Sequence, residues 1–138
     1  MTWIGWSLLS ALFAGMTAIL AKQGVSGVNS NLATAVRTTV IVLIAWTISL
    51  ATVPLSELFR IGRRPMVFLI LSGVATGLSW LCYFRALQLG EASKVAPIDK
   101  LSVVFVVVFA ALFLGERITV TGVMGAILIA VGAILLAL

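Results

Sequence analysis

The sequence has no histidine and only one cysteine, Cys82. A lone cysteine excludes a disulfide within the chain. Together the two shortages leave too few ligands for a zinc or haem site, so no metal and no cofactor is expected. Without histidine, no Ser/His or Cys/His catalytic pair can form. Charge is scarce as well: 9% of the 138 residues are Asp, Glu, Lys or Arg, against about 25% in ordinary soluble domains. A soluble fold could not be given a polar surface from so few charges. Instead, 62% of the residues are hydrophobic and the mean hydropathy is +1.27. The composition is that of an integral membrane protein, and it excludes the soluble enzyme classes.

The net charge of +5 would suggest a nucleic-acid partner in a soluble chain. Here the basic residues are scattered singly between apolar runs, so no phosphate-tracking patch forms and no nucleic acid is expected. Membrane flanks and anionic lipid headgroups account for them. A spanning helix needs roughly 20 mostly apolar residues. Five runs meet that length: Trp3 to Ala21, Asn31 to Val53, Pro65 to Leu87, Lys94 to Leu114 and Thr119 to Leu138. The connectors are short. The one from Pro54 to Arg64 mixes Leu55, Leu58, Phe59 and Ile61 with Arg60, Arg63 and Arg64, as an interfacial helical turn would. The first run lacks the charged start of a signal peptide and is too long for its apolar segment, so it is read as a span. The expectation is a single domain over residues 1–138.

Small and polar residues recur at helical spacing. Ser7, Ser10, Ala14, Thr17 and Ala21 share a face of the first span. Ser72, Thr76, Ser79 and Tyr83 share one on the third, which also carries Gly73 and Gly77. On the fifth, Gly122, Gly125 and Gly132 form one stripe, with Ala126, Ala130 and Ala137 beside it. Small faces let membrane helices approach closely, so the glycines read as helix-packing or dimerisation positions. The Ser/Thr/Tyr stripe reads equally as helix contact or as the wall of a wet pathway.

Charges inside the spans need a reason, because each costs about 2.5–3.5 kcal/mol near the bilayer centre on insertion scales. Arg37 lies about two turns into the second span. Arg85 is near the end of the third, and Asp99 and Lys100 are early in the fourth. Alternation of spans places all four toward one side of the membrane, with Lys22, Glu91 and Lys94. Pro97 has no N–H, so the Ser93 carbonyl loses its helical donor and the helix is expected to kink there. Asp99 and Lys100, about 100° apart on a helix, are not expected to pair with each other. Either these charges compensate one another structurally or they line a substrate or ion path. Trp80 and Tyr83 join them as an interfacial belt or as the aromatic wall of a pocket.

The segment Ala92-Ser93-Lys94-Val95-Ala96-Pro97, then Gly115-Glu116-Arg117 after an apolar helix, then the Gly122–Gly132 helix, resembles the EamA domain of the drug/metabolite transporter superfamily. The likeness is greatest to that superfamily's small five-span bacterial and archaeal members and covers essentially the whole chain. It implies an all-α membrane protein, a bundle of five transmembrane helices forming one EamA-type half-repeat. It also implies a multi-pass place in a bacterial or archaeal cytoplasmic (inner) membrane and no enzymatic activity. Typical members carry two such domains and export metabolites, amino acids among them. The Asp99-Lys100 pair departs from the apolar or second-proline pattern of the ten-span members.

An odd number of spans puts the two ends of the unit on opposite sides of the membrane. Inverted repeats build transport sites at their interface, so an antiparallel, dual-topology homodimer is favoured, or else a pair with a paralogous five-span chain. Two functions remain open at this point. One is a secondary transporter, exporter or exchanger, of a small polar or charged metabolite. The other is a non-transporting small subunit or assembly partner of a larger complex.

Overall fold

In lipid no water can pair with exposed backbone groups, so each apolar run must satisfy its own hydrogen bonds, and helices result. The computed structural model describes residues 2–138 and consists of seven helices among the described residues. They are α1 (Trp3–Gly24), α2 (Ser30–Thr52), α3 (Ser56–Arg60), α4 (Arg63–Leu89), α5 (Ala92–Asp99), α6 (Ser102–Leu114) and α7 (Val120–Ala137). Helices α1, α2, α4, α5 with α6, and α7 are each long and apolar enough to cross a membrane. The expected all-α membrane architecture with five spans is what the chain adopts. At 1.5 Å per residue, the 22 residues of α1 reach about 33 Å, enough for a hydrocarbon core of about 30 Å.

The ends of these helices follow from local chemistry. Asn29 caps α2, its Oδ1 accepting from the N–H groups of Asn31 at 2.9 Å and Leu32 at 3.4 Å. Thr119 caps α7 in the same way, accepting from Gly122 N–H at 3.1 Å. Helix α6 stops at Gly115, whose φ of 67° is left-handed and suits glycine. The Gly115 and Glu116 N–H groups both return to the Ala110 carbonyl, which closes the helix end. Threonine hydroxyls along α2 and α4 donate to carbonyls one turn back, as in Thr38 to Thr34 at 2.7 Å and Thr76 to Ser72 at 2.9 Å. Polar side chains are thus absorbed by their own helix.

The chain divides into two compact units. The first contains α1, α5, α6 and α7. Here α7 packs against both α5 and α6. Its covered side is alanine-rich: Ala133 is 5% exposed, and Ala126, Ala130 and Ala137 are half-buried beside it. The alanine stripe expected from the sequence therefore gains Ala133 as its most buried member. Replacing Ala133 with Leu is expected to overpack this contact and cost about 1–3 kcal/mol, read as a lower thermal midpoint in detergent. An unchanged midpoint would show that α7 does not pack through this side. The second unit contains α2, α3 and α4, with Val25, Ser30, Thr34, Phe84 and Leu87 buried.

The glycine stripes close no tight helix contact within the chain. A Cβ added at Gly73, Gly77, Gly125 or Gly132 would meet no atom within 4 Å. At Gly122 it would meet only the capping Thr119 Oγ1, at 3.2 Å.

Candidate functional site

The fourth span is not one continuous helix. It breaks into α5 and α6 at Lys100 and Leu101, just beyond Pro97, which lies inside α5. Through the break the hydrogen bonds shorten their reach from four residues to three. Lys100 N–H donates to Pro97 O, Leu101 N–H to Ile98 O and Val103 N–H to Lys100 O, each at 3.0 Å. This is 3₁₀ geometry, which inside a helix often marks a hinge. Asp99 ends α5, about 10 Å along from Ala92 at 1.5 Å per residue. Asp99 and Lys100 do pair, at 3.5 Å between Nζ and Oδ2. That corrects the expectation from helical geometry. The 100° separation does not apply here because Lys100 belongs to the turn, and its long flexible chain reaches back. The pair is loose, Lys100 is exposed and Asp99 half-buried, so the carboxylate can exchange partners.

Other basic groups in this first unit bind backbone oxygen. Lys22 Nζ donates to Gly90 O at 2.7 Å, and Lys94 Nζ to Leu138 O at 3.1 Å. They tie the α1 end and the α5 start to neighbouring carbonyls.

In the second unit, Arg37 of α2 lies over the Trp80 ring of α4, 4.4 Å from its centroid, and 5.5 Å from that of Phe84. Trp80 and Phe84 are four residues apart, so they share one face of α4 and present two rings to one cation. Phe84 is the member the sequence reading missed, although its spacing from Trp80 carried the signal. Tyr83 packs edge-on against Phe84, with centroids 6.5 Å apart, and lies within coulombic reach of the guanidinium. A cation–π contact is worth about 0.5–2 kcal/mol, against an insertion cost of about 2.5–3.5 kcal/mol. The rings therefore offset part of the cost of Arg37, not all of it.

Arg85 takes a different part. It donates to Gln88 Oε1 at 2.6 Å, and Gln88 Nε2 donates to Val28 O at 2.8 Å. That relay pins the α1–α2 connector to the end of α4. Ser72, Thr76 and Ser79 are exposed on α4, and the Thr76 hydroxyl proton is already given to its own helix. An open groove of about 550 Å³ runs between α2 and α4, lined by Asn31, Thr34 and Thr38 on one side and Gly77, Leu78 and Leu81 on the other. Among the expected site residues, then, Arg37 meets Trp80 and Asp99 meets Lys100, while Arg85 is engaged structurally.

Helices of this length describe a membrane protein, with one span interrupted beside an ion pair and an arginine stacked inside another. Comparison with known proteins gives its class. A protein of Sinorhizobium sp described as "Uncharacterized transporter in cobO 3'region" is 51% identical over 136 residues, covering 99% of this chain and 96% of that relative. No solved structure matches the chain. The EamA-like transporter family model matches residues 1–138. The chain is a multi-pass membrane transporter and belongs to the EamA-like transporter family.

Proposed function

We propose that the protein is a secondary transporter, working as exporter or exchanger, of small polar or charged metabolites in a bacterial or archaeal inner membrane. The observation that carries this reading is the interrupted fourth span. A discontinuous membrane helix with an exchangeable carboxylate at its break is the kind of element that binds solutes and coupling ions. Nothing else in the spans combines backbone irregularity with an acidic side chain. The test is uptake or counterflow of labelled metabolites by purified protein in liposomes. Transport above that of empty liposomes supports the reading. Its absence across amino acids, organic acids and amines would favour a non-transporting subunit.

The working unit in this proposal is an antiparallel homodimer, with the path between two chains. Five spans place the ends of the domain on opposite faces, and the 51% identical relative is itself scarcely longer than one such domain. Two inverted copies would recreate the paired arrangement in which transport sites form. The open space at Gly125 and Gly132 is available to a neighbouring helix. Gly125→Leu and Gly132→Leu should therefore keep the fold yet lower the dimer fraction in detergent, seen by cross-linking and size. Wild-type oligomeric size in both variants would assign that face to lipid.

A further inference from the structure

The unit Gly24–Gln88 holds five arginines, Arg37, Arg60, Arg63, Arg64 and Arg85, against one carboxylate, Glu57. Glu57 is taken by Arg60 at 2.7 Å, beyond the far end of α2. Arg85 is committed to Gln88. Arg37 is left two turns into α2 with no acidic side chain of its own unit to meet. Its guanidinium donates no hydrogen bond within the unit. It is held by the face, on Trp80 and Phe84. Stacking of that kind uses the π surface of the cation and leaves its in-plane N–H groups as a fork, the shape that matches a carboxylate.

The surroundings favour that use. The α2–α4 groove is lined by neighbours of the stack along both helices: its Thr34 and Thr38 flank Arg37 in sequence, and its Gly77 and Leu81 flank Trp80. The absence of a side chain at Gly77 keeps the groove open at this level, since a Cβ there would meet nothing within 4 Å. Thr34 and Thr38 have already given their hydroxyl protons to Ser30 O and Thr34 O. They can accept from a ligand but have no proton left to offer an anion. Beside this mostly apolar groove, the charged donors suited to an anion are those of Arg37, and the Asn31 amide on the groove wall is a neutral donor.

We infer that Arg37, seated on Trp80, binds the carboxylate of the transported solute, the rest of which lies in the α2–α4 groove. This rests on the transporter reading and narrows it to small carboxylic acids, amino acids included. A carboxylate approaching the fork completes the pairing that the rings leave unfinished, so solute binding and compensation of a membrane-embedded charge become one event.

The test uses detergent-purified protein and a panel of amino acids and short dicarboxylic acids, each matched with its methyl ester. A ligand that binds the native state raises the thermal midpoint. At least one acid is expected to raise it while its ester does not. Arg37→Gln should weaken that acid about thirtyfold or more, the loss typical of removing one partner of a desolvated charged hydrogen bond. Arg37→Lys should recover part, because it restores charge without the fork. The acid–ester comparison in the wild type needs no variant and stands even if Arg37→Gln fails to fold. Equal shifts from acid and ester, no shift from any acid, or an acid shift untouched in Arg37→Gln would each overturn the inference. So would an Arg37-dependent shift produced by phosphatidylglycerol and by no acid, which would assign the fork to a lipid phosphate. In liposomes, transport of an amine or neutral solute that Arg37→Gln leaves intact would keep the transporter reading and overturn this one. Ester-sensitive, Arg37-dependent binding with no transport of any solute would do the reverse.

Discussion

Asp99→Asn is expected to insert, fold and dimerise like the wild type yet lose transport. Asp99 is the only acidic residue within a span; Glu57, Glu91 and Glu116 lie outside the spanning helices. Asparagine keeps the size and most of the hydrogen bonding of the side chain and removes its charge. The pair with Lys100 is long, at 3.5 Å, and the two side chains are 37% and 56% accessible in the single chain. Such an accessible pair contributes at most about 1 kcal/mol, so the thermal midpoint should hardly move. Function should respond much more. A charged hydrogen bond to a solute or coupling ion is worth about 1.5–3 kcal/mol, which corresponds to a loss of about ten- to a hundredfold. Transport in liposomes and the midpoint of the same preparation decide the matter together. A fall of both would make Asp99 a structural counter-ion, with a basic group left unpaired. Full transport by a stable variant would remove Asp99 from the path and leave Arg37 as the charge to pursue.

Membrane orientation is the second large effect. Positive-inside bias counts Lys and Arg near span ends. Alternation of five spans predicts Arg60, Arg63, Arg64 and Arg117 on one side of the membrane. It predicts Lys22, Arg85 and Lys94 on the other, joined by Arg37 and Lys100 if their chains extend that way. The two sides nearly cancel, so both orientations are expected in one membrane. Fusions at Leu138 to a reporter active only in the cytoplasm, and to one active only outside it, should both give signal. Arg63 and Arg64 open α4 directly, where a charge weighs most. Replacing both with Ser should move most of the population to the orientation with Leu138 in the cytoplasm. A single orientation in the wild type would rule out the antiparallel homodimer and point to a paralogous partner chain.

All five spans could be read from the residues alone, to within one helical turn at each end. The reason is local: lipid leaves the backbone no outside partners, so every apolar run of sufficient length must become a helix, and Asn29, Thr119 and Gly115 mark where helices begin and stop. Helical periodicity likewise placed Ser72, Thr76, Ser79 and Tyr83 on one face. The partners of the charges were decided in three dimensions. Arg37 meets the Trp80 ring and not a carboxylate, Arg85 is drawn to Gln88, and Asp99 pairs with the adjacent Lys100 because the helix ends between them. Gly73 and Gly125 face open space, while Ala133 takes the packed position. Periodicity says which residues share a face of a helix. Which neighbour that face meets depends on how each helix is rotated and tilted about its axis, and long-range packing sets that, not the order of residues along one span.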